Sequence, residues 1–328
     1  MRNKKKLSIW YICALAIIGS ILLFVIVFSI KTILAGIWDG KSRFTIVVNS
    51  SPLVLFSIEP NTNQATLLII PPNTILDVPY SYNTYPAYSV FALGDLDAQK
   101  GGGKLLSKSI ENTFGVMVDG FIAARRNDTK FTLSSQSDEL FKLKKDYFAI
   151  HGFPNLFLKF LKLDKKIVRN ISLIDAMRVW LSLRNLRNDR IAIIFLDRDN
   201  TLTDEKLPDG SMVKILNKEL FDQTVALNFQ DRQVRLQNLS IEVVNATGKE
   251  KIAGQFSRVL QNLGANVVVK STAPTNENFN CQVYVTSKGL LSSIITKRLE
   301  KYFQCSILKT VEKGVSDIKV VLGKEFIK

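Results

Sequence analysis

The chain has 328 residues, enough for roughly two domains that each bury a core of their own. Hydrophobic residues make up 46% of it, which excludes an intrinsically disordered protein because such chains are poor in apolar residues. The 44 Lys and Arg residues outnumber the 29 Asp and Glu residues, and this basic excess favours polyanionic partners such as nucleic acid, anionic lipid or phosphate-bearing envelope polymers. A single histidine, His151, argues against mechanisms that need two histidines.

The first predicted element is an uncharged apolar stretch at residues 7–30. Its 24 residues are enough to cross a hydrocarbon core of about 30 Å as a helix, and they exceed the apolar core of a cleaved signal peptide. Residues 1–6 form a basic tail, so the positive-inside rule places the N-terminus in the cytoplasm. We therefore expect a single-pass protein of the plasma membrane, with membrane lipid as a partner and its bulk outside. Nucleic acid is then excluded as a partner.

Residues 37–235 are predicted to form the first outer domain. Its β-rich runs, 44–58 and 65–70, are separated by Pro and Asn residues typical of turns, and this predicts a hairpin. Three glycines precede a helical pattern over 104–114, and a candidate N-cap, Ser172, opens another over 172–187. Further patterns predict a helix over 137–165 and strands over 116–124 and 191–196.

Residues 237–328 are predicted to form the second outer domain, behind a polar and charged boundary at 229–235. Strand patterns alternate there with helical ones: strands at 241–244, 266–270, 282–286, 305–309 and 317–322, helices at 250–263 and 289–303. This order predicts a small α/β sandwich.

Two cysteines, Cys281 and Cys305, open the strands on either side of the second helix. A helical crossover returns the chain parallel to its start, so both cysteines should lie at the same end of the sheet. A disulfide is possible if the two strands are neighbours. Free buried thiols are the favoured alternative, because cysteine packs well as a small apolar residue.

Four pieces of this second domain resemble the C-terminal domain of the LytR-CpsA-Psr family of bacterial envelope proteins. They read, in order, IEVVNATG at 241–248, IA at 252–253, LGANVV at 263–268 and DIKVVLGKEF at 317–326. The resemblance implies an envelope-associated α/β module without established catalysis. Asn245 and Thr247, in the first piece, are candidate binding residues.

The first outer domain looks like a degenerate α/β catalytic domain of the same family. Family members carry an Arg-x-Asp-Thr type motif and a Pro-Arg-Asp-Thr type motif, whose arginines and aspartate handle a pyrophosphate and its metal. Here the corresponding residues read NSSP at 49–52 and PPNT at 71–74, so both arginines and both aspartates are missing. Transfer of a phospho-linked glycopolymer needs cations that neutralise the charge developing on the leaving oxygen. The domain is therefore expected to have kept the fold and lost the reaction, with no cofactor.

Two functions stay open. The first is a noncatalytic envelope protein that binds anionic wall polymers or partner proteins of the envelope. The alternative is a divergent phosphotransferase that attaches lipid-linked glycopolymers to the cell wall with Mg²⁺. Arg43, Arg125 and Arg126 are candidate basic residues in either case.

A separate motif, FLDRDN at 195–200, resembles the first motif of haloacid-dehalogenase-type phosphatases. In that family Asp197 would be the nucleophile, Asp199 the acid–base residue and Mg²⁺ the cofactor. Too little chain remains before the second outer domain to supply the rest of such an enzyme. An acidic surface loop after a strand is the preferred interpretation.

Overall fold

The computed structural model describes residues 36–97, 100–124, 131–132, 136–148, 167–309 and 314–327, with a few positions between 10 and 27. Within these ranges, no helix has the length and apolar character needed to cross a membrane. Most of the span predicted at residues 7–30 lies outside them. His151, Arg125, Arg126 and the second half of the helix predicted over 137–165 lie outside them as well.

The first domain is built on a mixed sheet in the order β8-β6-β1-β2-β3-β9, with β7 pairing to β1. Strands β1, β2 and β3 are antiparallel neighbours, while β6 and β9 run parallel to β1 and β3. The strands are β1 Phe44–Ser51, β2 Leu53–Glu59, β3 Gln64–Ile70, β6 Gly120–Ala124, β7 Phe131–Thr132, β8 Ile167–Arg169 and β9 Ile191–Phe195.

The predicted hairpin is the pair β2–β3, whose turn ends at Asn63 with a φ of 49°. The run 44–58, however, is two strands and not one, because the chain reverses at Ser51 and Pro52. Proline has no backbone N–H to donate to a ladder, and the stretch NSSP at 49–52 is a turn signal that the prediction passed over. The predicted strand over 116–124 is likewise shorter and begins at Gly120.

Helices cover both faces of this sheet, and β2 is buried along its whole length. Alternate residues of β2 point to opposite faces, so Leu55 joins one core and Phe56 the other. The first face carries α1 Ala87–Leu96, α2 Gly102–Phe114 and α5 Lys218–Thr224; the second carries α3 Ser137–Phe148 and α4 Leu173–Asn185. Helix α4 has the predicted Ser172 cap, completed as a capping box by Asp175.

Two small hairpins complete the domain, formed by β4 Ile75–Val78 with β5 Asn83–Pro86 and by β10 Leu202–Lys206 with β11 Met212–Leu216. Between β9 and β10, Asp197 and Asp199 lie exposed in turns, as expected of an acidic surface loop.

The second domain follows the short helix α6 Arg232–Gln237 and has five strands, β12 Ser240–Asn245, β13 Asn266–Thr272, β14 Cys281–Val285, β15 Ser306–Lys309 and β16 Ile318–Leu322. They form one sheet in the order β13-β12-β16-β14-β15. Helices α7 Ile252–Asn262 and α8 Ile294–Tyr302 pack on one face around a single apolar core. The predicted α/β layering is therefore confirmed in both domains.

Strands β14 and β15 are parallel neighbours, as the crossover predicted. Cys281 and Cys305 form a disulfide, with their Cα atoms 4.4 Å apart. The favoured expectation of free thiols is corrected, because the two strands pair directly and bring the cysteines within bridging distance.

Candidate binding groove

A groove of about 950 Å³ lies between the two domains, with α2 as one wall and α7 as the other. Helix α2 contributes the face Lys104, Lys108, Glu111 and Asn112, and α7 contributes the face Ile252, Gln255, Phe256 and Val259. Both sets recur every three or four residues, so each is one stripe of its helix. Towards the C-terminal ends the walls meet, since Arg258 Nη1 of α7 donates to the Thr113 carbonyl of α2 at 2.9 Å.

Five lysines and three acidic residues line this groove. Lys108 pairs with Glu111 at 2.6 Å, and Lys218 pairs with Asp77. The remaining lysines, Lys104, Lys249 and Lys251, are exposed and take part in no ion pair within the described ranges. Their charge is therefore available to an anionic ligand.

The unpaired lysines lie where the two wall helices begin. Lys104 is in the first turn of α2, and Lys251 is the N-cap residue of α7. Neither helix has a side-chain N-cap bond, although the Gly102 N–H donates to Asp95 at 3.2 Å. Unsatisfied N–H groups and the helix dipole attract anions to the N-terminal end of a helix. Both therefore add to the attraction that the lysine charges exert on an anionic ligand.

Aromatic side chains form the floor. The ring of Phe256 lies 4.9 Å from that of Phe303 and 5.3 Å from that of Phe326, both edge-on. Lys108 Nζ lies 4.9 Å from the centre of the Phe303 ring, within cation–π range. Tyr80 lies at the rim contributed by the first domain. Phe256 and Phe303 are themselves buried, at 4% and 7% exposed, so the aromatic surface open to a ligand comes from the half-buried Phe326 and Tyr80. The groove thus combines positive charge with a limited apolar surface, which suits a ligand carrying both anionic groups and apolar faces.

A loop of the second domain presents Lys249 to the groove, and Asn245 and Thr247 fix its shape. The Thr247 hydroxyl donates to Asn245 Oδ1 at 2.7 Å, and Asn245 Nδ2 donates to the Lys249 carbonyl at 2.7 Å. The Lys249 N–H donates to Thr247 Oγ1 at 3.0 Å. The two predicted binding residues are buried and bonded to each other and to the loop backbone, so the structure places them as supports of Lys249.

A disulfide and a hydrogen bond fix the turn that carries Phe303. The Cys281–Cys305 disulfide crosses its base, and Asn280 Nδ2 donates to the Phe303 carbonyl at 2.8 Å.

Behind the groove, buried charges join the domains. Arg298 of α8 donates to Asp231 at 2.8 Å, to Asp119 at 3.4 Å and to the Arg43 carbonyl. Asp231 also caps α6 by accepting N–H groups from its first turn. Arg298, Asp119 and Asp231 are each no more than 5% exposed. Arg298 belongs to the second domain and Asp119 to the first, and separating them would leave buried charges unpaired, so this set fixes how the domains meet.

Arg43 is part of this buried set and is 6% exposed. Its guanidinium contacts Glu59 at 3.3 Å and donates to the Gln230 carbonyl at 2.7 Å and to Ser57 at 3.0 Å. Burial raises the pKa of the Glu59 carboxyl, and the nearby Asp231 charge adds to that rise. The prediction of Arg43 as an accessible basic residue is corrected, because its side chain is enclosed between the domains.

The pKa of the Asp119 carboxyl is higher than is usual for an aspartate. Burial raises its pKa from 3.8 to about 6, although the Arg298 charge opposes the rise. Beside it, Tyr302 lines the groove and donates its hydroxyl to the Ile37 carbonyl at 3.1 Å. Burial, and then the Asp119 charge, raise the pKa of the Tyr302 phenol, so it stays a donor at neutral pH.

Neither degenerate motif lines the groove. The PPNT loop is covered by the β10–β11 hairpin: Asn73 Nδ2 donates to the Met212 carbonyl, and the Lys214 N–H donates to the Asn73 carbonyl, each at 3.1 Å. Among the residues that the structure describes, no group of three or more His, Cys, Asp or Glu side chains could hold a metal ion.

Residues 238–326 match the family described as "LytR cell envelope-related transcriptional attenuator". The match covers the second domain and none of the first. The LytR-type domain therefore starts next to the predicted boundary at 229–235 and covers every strand of the five-stranded sheet. No curated protein matches the sequence.

Solved structures of LytR-CpsA-Psr proteins are similar to the chain only in outline. TagV of B. subtilis has 9% identity and a TM-score of 0.44, covering 70% of this chain and 100% of its own. TagU of B. subtilis has 10% identity and a TM-score of 0.40, covering 58% and 98%. The LytR-CPS2A-psr family protein YwtF (TagT), with bound octaprenyl pyrophosphate lipid, has 17% identity and a TM-score of 0.37, covering 57% and 89%.

Proposed function

We propose that this protein is a membrane-anchored cell-envelope protein that binds an anionic envelope polymer in the groove between its domains, without transferring it. The observation that carries the proposal is the set of three unpaired lysines, Lys104, Lys249 and Lys251, above an aromatic floor. Polymers made of phosphates and sugars offer charge and apolar ring faces together. The LytR-type domain supplies one wall of the groove, in keeping with the envelope role of its family.

Two features support binding without catalysis. The family resemblance places pyrophosphate chemistry at two motifs, and here residues 49–52 and 71–74 contain neither arginine nor aspartate. The PPNT loop is also engaged by β11. Positioned cations are worth orders of magnitude in such reactions, so their loss is expected to abolish the rate.

The alternative is a divergent phosphotransferase that uses Mg²⁺ and a lipid-linked glycopolymer. It is favoured by the family to which the LytR-type domain belongs. In that case turnover would depend on basic residues outside the two degenerate motifs.

Binding is tested with the full-length protein in detergent and fluorescent poly(glycerol phosphate), with neutral dextran as the comparison polymer. The test variant is Lys104→Gln/Lys249→Gln/Lys251→Gln. Its matched control changes the same number of exposed lysines away from the groove, Lys142→Gln/Lys206→Gln/Lys309→Gln. At roughly 0.5 kcal/mol per exposed contact, the groove variant should bind about tenfold more weakly, while the control keeps its affinity.

Raising the salt concentration should weaken wild-type binding, because exposed charges are screened over about 8 Å at physiological ionic strength. Equal loss in the two triple variants would overturn the groove as the site. Release of polyprenyl phosphate from a polyprenyl-pyrophosphate-linked glycan in the presence of Mg²⁺ would instead establish the phosphotransferase.

A further inference from the structure

The chain just after the predicted membrane span is firmly held by the folded body. The N–H groups of Ile37 and Trp38 donate to the Asp175 carboxylate at 3.1 and 2.9 Å. Asp175 is fully buried at the start of α4. Trp38 is 1% exposed and stacks on Phe44 with 4.9 Å between ring centres. The body is therefore fixed in orientation relative to the chain that enters it.

The LytR-type domain holds the same short segment. Lys301 Nζ donates to the Gly36 carbonyl at 3.4 Å, and Tyr302 donates to the Ile37 carbonyl. On the other side, a Cβ on Gly36 would lie 2.9 Å from Ile174 Cγ2 in the first turn of α4. The entry point of the chain is thus next to the N-terminal end of α4.

Only five residues, 31–35, separate the predicted span from Gly36. Fully extended, they reach about 20 Å at most. The side of the body that carries Gly36 must then stay within that distance of the lipid surface.

The layer made by α3 and α4 adjoins this entry point, and its outer surface mixes apolar and basic groups with three acidic ones, Asp138, Glu139 and Asp146. Leu181 is 49% exposed and lies two helical turns beyond Ile174 on α4. In α3, Leu143 and Tyr147 are each 37% exposed. The helices are in contact, since Trp180 Nε1 donates to the Tyr147 carbonyl at 3.4 Å.

The exposed basic residues beside these apolar groups are Arg184 of α4 and Lys142 and Lys145 of α3, whereas Arg178 donates to the Trp38 carbonyl. Exposed apolar side chains beside cations are the composition of surfaces that rest at the boundary between acyl chains and anionic headgroups. Long basic side chains can reach the phosphates while their stems stay against apolar surface.

We propose that the α3–α4 layer rests on the anionic headgroups of the membrane that holds residues 7–30. The inference rests on the proposed anchor. Helices α1 and α2 lie on the opposite face of the first sheet. The α2 wall of the groove therefore lies across the sheet from the layer that rests on the lipid.

The test uses full-length protein with Cys13→Ser, carrying an environment-sensitive dye on either Leu181→Cys or Leu96→Cys. Leu96 is the matched control, because it is an exposed leucine, 87% accessible, on a helix of the opposite layer. Each labelled protein is reconstituted into vesicles of phosphatidylcholine and phosphatidylglycerol that contain a headgroup-level spin-labelled lipid. The dye at position 181 should be quenched at least twofold more than the dye at position 96, and replacing phosphatidylglycerol with phosphatidylcholine should reduce that difference.

Flotation with the vesicles under alkaline conditions is measured on the same samples. Protein that fails to float would refute the anchor, and with it this inference. Protein that floats but shows equal quenching at the two positions would refute the resting surface and leave the anchor standing.

Discussion

Replacing Asp119 with asparagine tests the buried charges that join the two domains. Asp119 is 5% exposed and accepts the Thr45 N–H at 2.7 Å, next to Arg298. Burial raises the pKa of this carboxyl from 3.8 to about 6. Asparagine has nearly the same shape and is neutral at every pH, so Asp119→Asn removes the titration while changing the packing little.

The sign and size of the effect follow from proton linkage. Because the pKa is higher in the native state than in the unfolded chain, the native state binds more protons between pH 4 and 6. The contribution of Asp119 to stability is complete below about pH 4 and is lost as the pH rises through about 6. At 1.36 kcal/mol per pKa unit, the rise from 3.8 to about 6 corresponds to roughly 3 kcal/mol.

The assay is denaturant unfolding of the full-length protein at pH 4, 5, 6 and 7. Relative to wild type, Asp119→Asn should gain about 3 kcal/mol of unfolding free energy between pH 4 and 7. Asp317 provides a control with a different pH window, because hydrogen bonds from Ser240 lower the pKa of its carboxyl below the ordinary 3.8. Its contribution to stability is nearly complete by about pH 4, so the difference between Asp317→Asn and wild type should stay almost constant between pH 4 and 7. A difference between Asp119→Asn and wild type that does not change with pH would refute the reasoning.

Three further predictions concern other parts of the chain. Changing Cys281 and Cys305 together to alanine should reduce the unfolding free energy by roughly 3 kcal/mol, since their bridge closes a loop with a sequence separation of 24. Mass spectrometry of alkylated, unreduced wild-type protein should show the two peptides linked. Alkyl labels on both cysteines would contradict the bridge. Ser172→Ala should lower the unfolding free energy by about 1 kcal/mol, measured by thermal or denaturant unfolding, because it removes the side-chain cap of α4. The control Ser287→Ala lies at a helix start without a side-chain cap and should change the unfolding free energy little. An equal decrease in the two variants would contradict the role of the cap. A C-terminal tag on the full chain should be digested by protease added to intact spheroplasts, and a resistant tag would contradict the external orientation.

The LytR-type domain was predictable from sequence because its elements are short and clearly separated. The apolar stripe Ile252, Phe256 and Val259 recurs at helical spacing, and Gly264, with a φ of 102°, ends the helix as glycine commonly does. Its strands are apolar enough to be recognised without their partners.

The first domain was harder to predict at two points. The turn at Pro52 follows three polar residues, 49–51, but β-rich sequence on both sides led the prediction to join two strands into one. Strand β10 reads LTDEK and is mostly exposed, so it has no apolar pattern at all. Its conformation comes from pairing with β11, including a 2.9 Å ion pair from Lys214 to Asp204, and such tertiary contacts are invisible to local patterns.

The groove could not be predicted for a related reason. Lys104 and Lys249 belong to different domains and line one groove only because α2 packs beside α7. The sequence did point to the loop at 245–248, through its resemblance to the family, but not to the lysine that follows it. A buried arginine such as Arg43 also looks the same in sequence as an exposed one.

A groove with one wall on each domain has an affinity that depends on how the domains dock. The contacts that fix this docking are largely directional: Arg258 makes a bidentate pair with Asp222, at 2.6 and 2.9 Å, and Arg298 bridges Asp119 and Asp231. Apolar residues at these positions could stabilise the interface just as much as the charged ones, because burying charges costs desolvation energy that their pairing only partly offsets. Paired charges, however, are satisfied in one relative position of α2 and α7 and leave unpaired ions in any other. Under the proposed function, a polymer that bridges Lys104 and Lys249 requires that same position, so its binding and the docking of the domains would form a single coupled equilibrium.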